Sequence, residues 1–196
     1  TRCACTLLRA RTRLQPSAAP PSVARTVIIG HWNLRAKALC CVGSGKTTQC
    51  AAAAAACGFT HVCVGQLLKQ RAAQVEDIIS QEVQACIHAG TLVPTATVMN
   101  VLTQCLDGIK GPVLLDGFPR VHEQMGAVDK LGSVAGVVFL DCSEDLMISR
   151  MDKSDCGDEI ALLAQFTEHC LPCLDLYERA GLLHVVGATQ GIDEVQ

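Results

Sequence analysis

Short apolar runs alternate with longer stretches of helical periodicity along most of this chain. Runs rich in Val, Ile and Leu, each bounded by Gly, Pro or a polar residue, predict buried strands. They lie at Thr26–Gly30, His61–Val64, Pro112–Leu115, Val137–Asp141 and Leu182–Val186. Because helical segments separate these runs, the order predicts an α/β fold: a parallel sheet of about five strands flanked by helices.

The helical segments have recognisable ends. The predicted helices cover Lys46–Cys57, Gln66 to Gly90, a segment after Pro94, and Ile160–Leu176. The first contains an alanine run of the highest helix propensity, and Gly58 after it is a typical stop signal. Apolar residues at three- and four-residue steps make the second a single helix that Gly90 ends. In the last, we expect Pro172 to kink or break the helix.

A glycine-rich stretch with a lysine precedes the alanine run. It consists of Gly43, Ser44, Gly45, Lys46, Thr47 and Thr48. Glycines let backbone N–H groups surround phosphate oxygens, a lysine reaches the outer phosphates, and a hydroxyl meets Mg²⁺. The helix that follows points its positive N-terminal end at the same place. These residue types therefore indicate a phosphate-binding loop.

The entrance to this loop is open to two interpretations. The complete loop pattern asks for a glycine where the chain has Cys40, and a strand should run straight into the loop. If residues 31–42 are an insertion, the strand is Thr26–Gly30 and Gly30 supplies the missing glycine. If they are not, the strand is Ala38–Val42 and the loop lacks that glycine.

Composition restricts the class of protein and of partner. The chain has 196 residues, of which 49% are hydrophobic and only 18% charged, enough material for one buried core. No apolar run approaches the roughly 18 residues that a membrane span needs. The net charge of −3 gives no reason to expect nucleic acid. We therefore expect a monomer whose partners are neither nucleic acid nor membrane.

The first 25 residues differ in composition from the rest. They contain arginines, serines and alanines, no acid, and a proline-rich end. That composition is typical of a mitochondrial transit peptide, and equally of a disordered basic leader without significance. We exclude residues 1–25 from the fold and assign 26–196 to a single domain. The expected location is cytoplasmic, with a mitochondrial one as the alternative.

Thirteen cysteines are scattered along the chain, mostly in apolar surroundings. A chain with its own core needs no disulfide framework, so reduced buried thiols and an intracellular compartment are predicted. Cys170 and Cys173 form a C-x-x-C that, with Cys156 and His169, could resemble a zinc site. Only one pair has ligand spacing, so core packing is the preferred interpretation.

Several stretches, in the same order, carry a resemblance to a known family. They are Gly43–Cys50, Cys57–Lys69, Gly90–Pro94, Asp116–Arg120 with Gln124, Leu174–Gly181, and Ile192–Val195. In them the chain resembles the nucleoside monophosphate kinases, adenylate kinase most closely, over about residues 43–196. The resemblance implies a three-layer P-loop kinase fold with a small monophosphate-binding subdomain at 59–94 and a reduced lid at 151–159.

The same resemblance implies transfer of a phosphoryl group from ATP with Mg²⁺ to a nucleoside monophosphate. Lys46 would contact the β- and γ-phosphates, and the backbone of Gly43–Thr48 would surround them. Asp116 would hold water ligands of Mg²⁺, joined by Thr47, while Arg120 and Arg150 would complete the catalytic cations. The implied monophosphate site consists of Val64, Gly65, Lys69, Val93, Gly117, Arg120 and Gln124.

The expected acceptor follows from one amide side chain. Adenylate kinases resemble one another in having a glutamine at the position of Gln124, whereas uridylate and cytidylate kinases have an asparagine. An amide can both donate to and accept from adenine. Val64 stands where adenylate kinases usually carry threonine. AMP is the favoured acceptor, and a UMP or CMP kinase is the alternative.

The chain departs from the family pattern in the lid. It has no arginine between Arg150 and Arg179, where the family carries several, and Gln66 and Lys69 replace an acid and an arginine. A lid excludes water and brings cations to the transferring group, and losing one such arginine can cost on the order of 10³-fold in rate. A nucleotide-binding protein with impaired catalysis is therefore a further alternative.

Overall fold

Five parallel strands form the centre of the structure. The computed structural model describes residues 25–30, 44–74, 77–143, 146, 149–150 and 166–189. The strands are β1 (Arg25–Gly30), β2 (Thr60–Cys63), β3 (Val113–Asp116), β4 (Val134–Asp141) and β5 (Leu183–Gly187). The helices are α1 (Lys46–Cys57), α2 (Val64–Gln74), α3 (Ile78–Ala89), α4 (Thr95–Leu106), α5 (His122–Leu131) and α6 (Leu171–Arg179).

The strand order is β2-β3-β1-β4-β5, and every neighbouring pair is parallel. Strand β1 lies at the centre, between β3 and β4. Of the two interpretations of the loop entrance, the structure agrees with the one that ends the first strand at Gly30. Residues 31–42, including the alternative strand Ala38–Val42, lie outside the described residues.

Both faces of the sheet are covered, which gives three layers. Side chains alternate between the two faces of a strand. In β3, Val113 and Leu115 belong to a large core cluster with Leu102 of α4 and Leu174 of α6. Leu114, between them, packs against Cys50, Ala53 and Ala54 of α1. The predicted α/β fold with helices on both faces of a parallel sheet is confirmed.

The helix ends follow the signals in the sequence. Helix α1 ends at Gly58 and α3 at Gly90, each glycine in the left-handed conformation that ends helices without strain. Pro172 lies in the first turn of α6, after a π-helical turn at Phe166–Cys170, so the predicted break is present. None of the helices in the described part is long and apolar enough to cross a membrane.

The single helix predicted from Gln66 to Gly90 is wrong, because two helices, α2 and α3, occupy this segment. Asp77 has extended backbone angles, and its carboxylate accepts a hydrogen bond of 2.8 Å from the N–H of Ser80. Asp77 also pairs with Arg71 of α2. When an aspartate side chain caps the start of a helix, its backbone leaves the helical conformation, so the residue ends any longer helix that would run through it. The spacing of apolar residues does not show this effect, because it carries no information on side-chain caps.

The cysteines only partly follow their prediction. Among the described residues, seven are free thiols, either buried or half-buried: Cys50, Cys63, Cys86, Cys105, Cys142, Cys170 and Cys173. Cys57, the last residue of α1, is disulfide-bonded, so the prediction of reduced thiols is wrong for this residue. Pairing depends on which cysteines the fold brings together, and spacing along the chain does not report it. The intracellular compartment inferred from reduced thiols stays a prediction.

The cap at Asp77 should make stability depend on pH. Hydrogen bonds from Arg71 and then Ser80 lower the pKa of Asp77 from 3.8 to about 2. The carboxylate therefore stabilises the fold at pH values above 3.8, and this contribution disappears as the pH falls towards 2. We expect Asp77→Asn, which removes the charge, to have a lower Tm than the wild type near neutral pH. The difference should shrink across that acidic range.

Thermal unfolding followed by circular dichroism measures this difference at each pH. Asp175→Asn, which removes an exposed carboxylate from α6, is the matched control for the loss of one negative charge. A Tm difference between wild type and Asp77→Asn that stays constant from neutral pH to pH 2 would contradict the role of the carboxylate.

Candidate functional site

Lys46 opens helix α1 at the carboxyl edge of the sheet. Gly45 before it has a φ of 78°, a left-handed conformation that favours glycine, and the first turn contains no acid. Ser44 is buried, and Thr47 and Thr48 follow Lys46 in the first turn. The N–H groups of a helix start and the positive end of the helix dipole suit such a turn to an anion. Gly43 lies outside the described residues.

Asp116, the last residue of β3, faces Lys46. The Lys46 Nζ lies 2.9 Å from Asp116 Oδ1, with the aspartate side chain fully buried and the lysine side chain 11% exposed. Burial on its own raises the pKa of Asp116. The charge of Lys46, with hydrogen bonds from Lys46, Thr47 and Cys63, outweighs burial and holds the pKa below its ordinary value. The site therefore contains a buried carboxylate in its charged form.

Two further side chains approach Asp116 from the α1 face of the sheet. The Nε2 of His61, in β2, is 3.4 Å from Asp116 Oδ2. The thiol of Cys50, one helical turn after Lys46, completes a group whose ligand atoms all lie within 4.8 Å of one another. Burial, followed by the charge of Asp116, raises the pKa of the Cys50 thiol well above its usual range.

No functional role was assigned to His61 or to Cys50 from the sequence. Residues Lys46 and Cys50 are four apart on a helix, so they share a face. In the sheet, His61 lies opposite Leu114 and Cys63 lies opposite Asp116. Because residues two apart on a strand share a face, the side chains of His61, Cys63, Leu114 and Asp116 all point to the same side of the sheet. The helical spacing was visible in the sequence, but the register of β2 on β3 was not.

A separate cavity of about 200 Å³ opens beside the end of β3. The structure brings all seven residues of the expected monophosphate site to its wall: Val64, Gly65, Lys69, Val93, Gly117, Arg120 and Gln124. It adds five apolar residues that sequence reasoning missed: Leu68, Ile87, Leu92, Val98 and Phe118. Helical periodicity marks several of these as apolar positions, but does not tell a cavity wall from a packed core.

Arg120 and Gln124 are held in place by the backbone around them. The Gln124 Oε1 accepts a hydrogen bond of 2.7 Å from the Arg120 N–H, and the Arg120 Nε donates to the Gly117 carbonyl at 3.1 Å. Gln124 is buried. Gly117 has a φ of 80°, and a Cβ there would lie 3.5 Å from Arg120 Nη2. The positive φ therefore favours glycine at this turn, whereas the contact with the guanidinium would be an ordinary one for a Cβ.

Arg150 lies at the other side of the sheet edge. Its Nη1 donates to the carbonyl of Ala188, after β5, at 3.2 Å and contacts the Cys142 thiol, after β4, at 3.8 Å. The structure thus brings Lys46, Thr47 and Asp116 together, and it places Arg120 in the wall of the cavity. The segment 151–159 lies outside the described residues.

The C-x-x-C in α6 behaves as core. Cys170 and Cys173 are 3% and 0% exposed, and their thiols donate to the carbonyls of Arg120 and His169. Cys156 lies outside the described residues. Within the described residues, the group with metal-ligand geometry is Cys50, His61 and Asp116 instead.

The parallel sheet, the lysine at a glycine-led helix start and the buried aspartate on a neighbouring strand define a P-loop nucleotide-binding protein of the kinase type. The sequence model of the adenylate kinase family matches residues 39–182, and this chain belongs to that family. The match begins after β1, so the central strand lies outside the matched range.

Individual relatives agree on the class of enzyme. The chain is 28% identical to a UMP-CMP kinase of Xenopus tropicalis over 172 residues, which cover 78% of this chain and 88% of the relative. It is 27% identical to a human UMP-CMP kinase over the same shares. A UMP-CMP kinase of Prunus armeniaca is 32% identical over 163 residues, 78% of this chain and 70% of the relative. The protein is a nucleoside monophosphate kinase, which acts on ATP and a nucleoside monophosphate.

The buried ion pair can be tested without nucleotide. Lys46→Met leaves a buried carboxylate without its cation, and we expect a loss of about 3–5 kcal/mol in the free energy of unfolding. Asp116→Asn, added to Lys46→Met, removes the uncompensated charge and should restore most of that loss. Urea unfolding of the two single variants and the double variant, with exposed Lys110→Met as the control, measures the coupling. Additive effects of the two substitutions would contradict the pair.

Proposed function

We propose that this kinase transfers the γ-phosphoryl group of ATP to AMP and releases two ADP. A phosphate oxygen of AMP attacks the γ-phosphorus, and the bond from that phosphorus to the β-γ bridging oxygen breaks. The observation that carries the proposal is the arrangement at the end of β3. Asp116 meets the lysine of the phosphate loop, and the next residues, through Arg120, line the cavity.

The donor phosphates would lie against the start of α1. We propose that the backbone from Gly43 to Thr48 surrounds them and that Lys46 exchanges Asp116 for the β- and γ-phosphates. The ion pair keeps the lysine extended and dehydrated before ATP arrives. In enzymatic phosphoryl transfer, positioning of the phosphates and neutralisation of their charge account for most of the rate enhancement.

The residues beside Lys46 also fit Mg²⁺. Asp116 presents a charged carboxylate, and Thr47, which hydrogen-bonds to it, presents a hydroxyl. Oxygen ligands, several of them water, are what Mg²⁺ prefers. Mg²⁺ that arrives with ATP would neutralise phosphate charge, while Asp116 holds its waters and Thr47 orients them.

The acceptor would occupy the cavity that residues 59–94 form with the end of β3. Arg120 and Lys69 line it and supply two positive charges for the monophosphate, and Arg120 has the planar fork that grips phosphate in two places. Val64, Gly65 and Val93 offer small and apolar contacts to the sugar and base. We propose Arg150 as the remaining cation, which closes on the transferring group from the β5 side.

Gln124 supports AMP as the acceptor. Its Oε1 accepts from the Arg120 N–H, so the amide N–H₂ is oriented as a donor and the carbonyl keeps a second lone pair. Adenine offers a ring-nitrogen acceptor and an amino donor on the same edge, which matches this pair of groups. The similarity to UMP-CMP kinases favours a second candidate acceptor, UMP or CMP.

A coupled assay for ADP tests the transfer. We expect ATP plus AMP to turn over in the wild type and Lys46→Met to lose about 10³-fold or more in kcat. AMP binding, measured by calorimetry, should remain within a few-fold, because Lys46 lies outside the cavity. Assays run well below the Tm of the variant keep unfolding out of the comparison. AMP binding without turnover in the wild type would favour the impaired-catalysis alternative. Equal rates in the wild type and in Lys46→Met would contradict the role of Lys46.

The acceptor base has a test of its own. We expect the wild type to prefer AMP to CMP and UMP in kcat/KM, and Gln124→Asn to move that preference towards the pyrimidines by roughly 10- to 100-fold. This expectation follows the family resemblance, in which uridylate and cytidylate kinases carry an asparagine at this position. Gln104→Asn, on an exposed face of α4, is the matched control. A wild type that already prefers CMP or UMP would make the second candidate the function.

A further inference from the structure

Asp116 belongs to two neighbourhoods with different chemistry. On one side it meets Lys46 and Thr47 of the phosphate loop, and the proposed function uses that side. On the other side stand the thiol of Cys50 and the imidazole of His61, within 4.8 Å of each other and of the carboxylate. Nothing in the proposed phosphoryl transfer uses this sulfur and nitrogen.

We propose that Cys50, His61 and Asp116 form a binding site for a thiophilic divalent cation, with Zn²⁺ as the natural candidate. Sulfur, imidazole nitrogen and carboxylate oxygen are the three ligand types that zinc takes, and three protein ligands leave a fourth position for water. Mg²⁺ and Ca²⁺ take oxygen ligands and would not use this set. On binding, the thiol releases its proton to solvent and a sulfur–metal bond forms.

The ligand atoms stand near the distances that such a metal needs. Tetrahedral zinc, with bonds of about 2.0–2.3 Å, holds its ligand atoms roughly 3.5 Å apart. In the structure the Nε2 of His61 and an oxygen of Asp116 are already 3.4 Å apart, and the whole group lies within 4.8 Å. The widest separation that the group allows exceeds the tetrahedral spacing by about 1.3 Å, which rotation of the Cys50 and His61 side chains can supply.

The site is also built on fixed elements and is mostly buried, with the His61 side chain 19% exposed. Cys50 is on α1, His61 in β2 and Asp116 at the end of β3, and those three elements pack against one another. Cys50 and Asp116 are 0% exposed. The Nε2 of His61 is buried and makes no hydrogen bond to any residue in the described part of the chain. A buried nitrogen without a hydrogen bond is costly, and a metal would satisfy it.

Occupation of the site would act on Lys46. The Lys46 Nζ lies 2.9 Å from Asp116 Oδ1, and a divalent cation on the same carboxylate repels the ammonium and replaces it. Asp116 could then no longer hold the waters of Mg²⁺. This consequence, though not the binding itself, rests on the proposed function: the metal should inhibit the kinase.

Cobalt(II) is the probe for binding, because a cobalt–thiolate bond absorbs light in the near ultraviolet and tetrahedral cobalt absorbs in the visible. The reduced full chain, titrated with Co²⁺ in the absence of nucleotide, should show both absorptions at one equivalent. Cys50→Ser should lose the thiolate absorption, and His61→Gln should weaken binding by at least about tenfold. Cys86→Ser, which removes a half-buried thiol elsewhere, should match the wild type.

Identical absorption in the wild type and in Cys50→Ser would overturn the site. If Cys50→Ser fails to fold, the loss of affinity in His61→Gln decides, and unchanged affinity there would overturn the site as well. Neither residue belongs to the proposed catalytic machinery, so both variants should keep basal turnover.

Kinase assays at buffered free Zn²⁺ separate the two proposals. Inhibition of the wild type at concentrations that leave Cys50→Ser active would support the metal site. Equal inhibition of both would count against it. A cobalt absorption that depends on Cys50, in a protein with no turnover at all, would leave the metal site standing and the proposed function failed.

Discussion

A single buried charge, the carboxylate of Asp116, constrains the edge of the sheet where the chemistry lies. A carboxylate with no exposed surface is tolerated only if cations and donors surround it. Lys46 meets that need from the start of α1 at 2.9 Å, and in doing so ties the helix to β3. The ion pair of Lys46 and Asp116 therefore aligns the phosphate loop with the end of β3. In the proposed reaction this pair separates when Lys46 binds the phosphates of ATP.

The residues that follow Asp116 extend this arrangement to the acceptor side. Gly117 turns the chain, Arg120 folds back onto the Gly117 carbonyl, and Gln124 accepts from the Arg120 N–H. The thiol of Cys170 donates to the Arg120 carbonyl at 3.1 Å, so the C-terminal part of the core supports the same turn. Donor and acceptor chemistry are thus linked through nine consecutive residues rather than through separate loops.

Local signals in the sequence predict local structure well here. Helix α1 begins and ends where the alanine run and Gly58 indicate, because propensity and a left-handed glycine act within one turn. The break at Asp77 escapes prediction, since a side-chain cap outcompetes periodicity. Seven of the twelve residues that line the cavity were found through the family resemblance. The approach of His61 and Cys50 to Asp116 was not, because it depends on the pairing of β2 with β3 and on the packing of α1, which no spacing along the chain encodes.

The position of β1 has a consequence for how the chain reaches its native state. Residues Arg25–Gly30 form the middle strand, yet their partners are Val113–Asp116 and Val134–Asp141. During synthesis, at about 5–20 residues per second, this strand has to wait for two neighbours that are made much later. The middle of the sheet therefore closes through long-range contacts, whose loop-closure entropy slows folding. In that interval α1 and the α2–α3 pair can form by local contacts alone. The helix that carries Lys46 can therefore form before the strands at the phosphate site pair with one another.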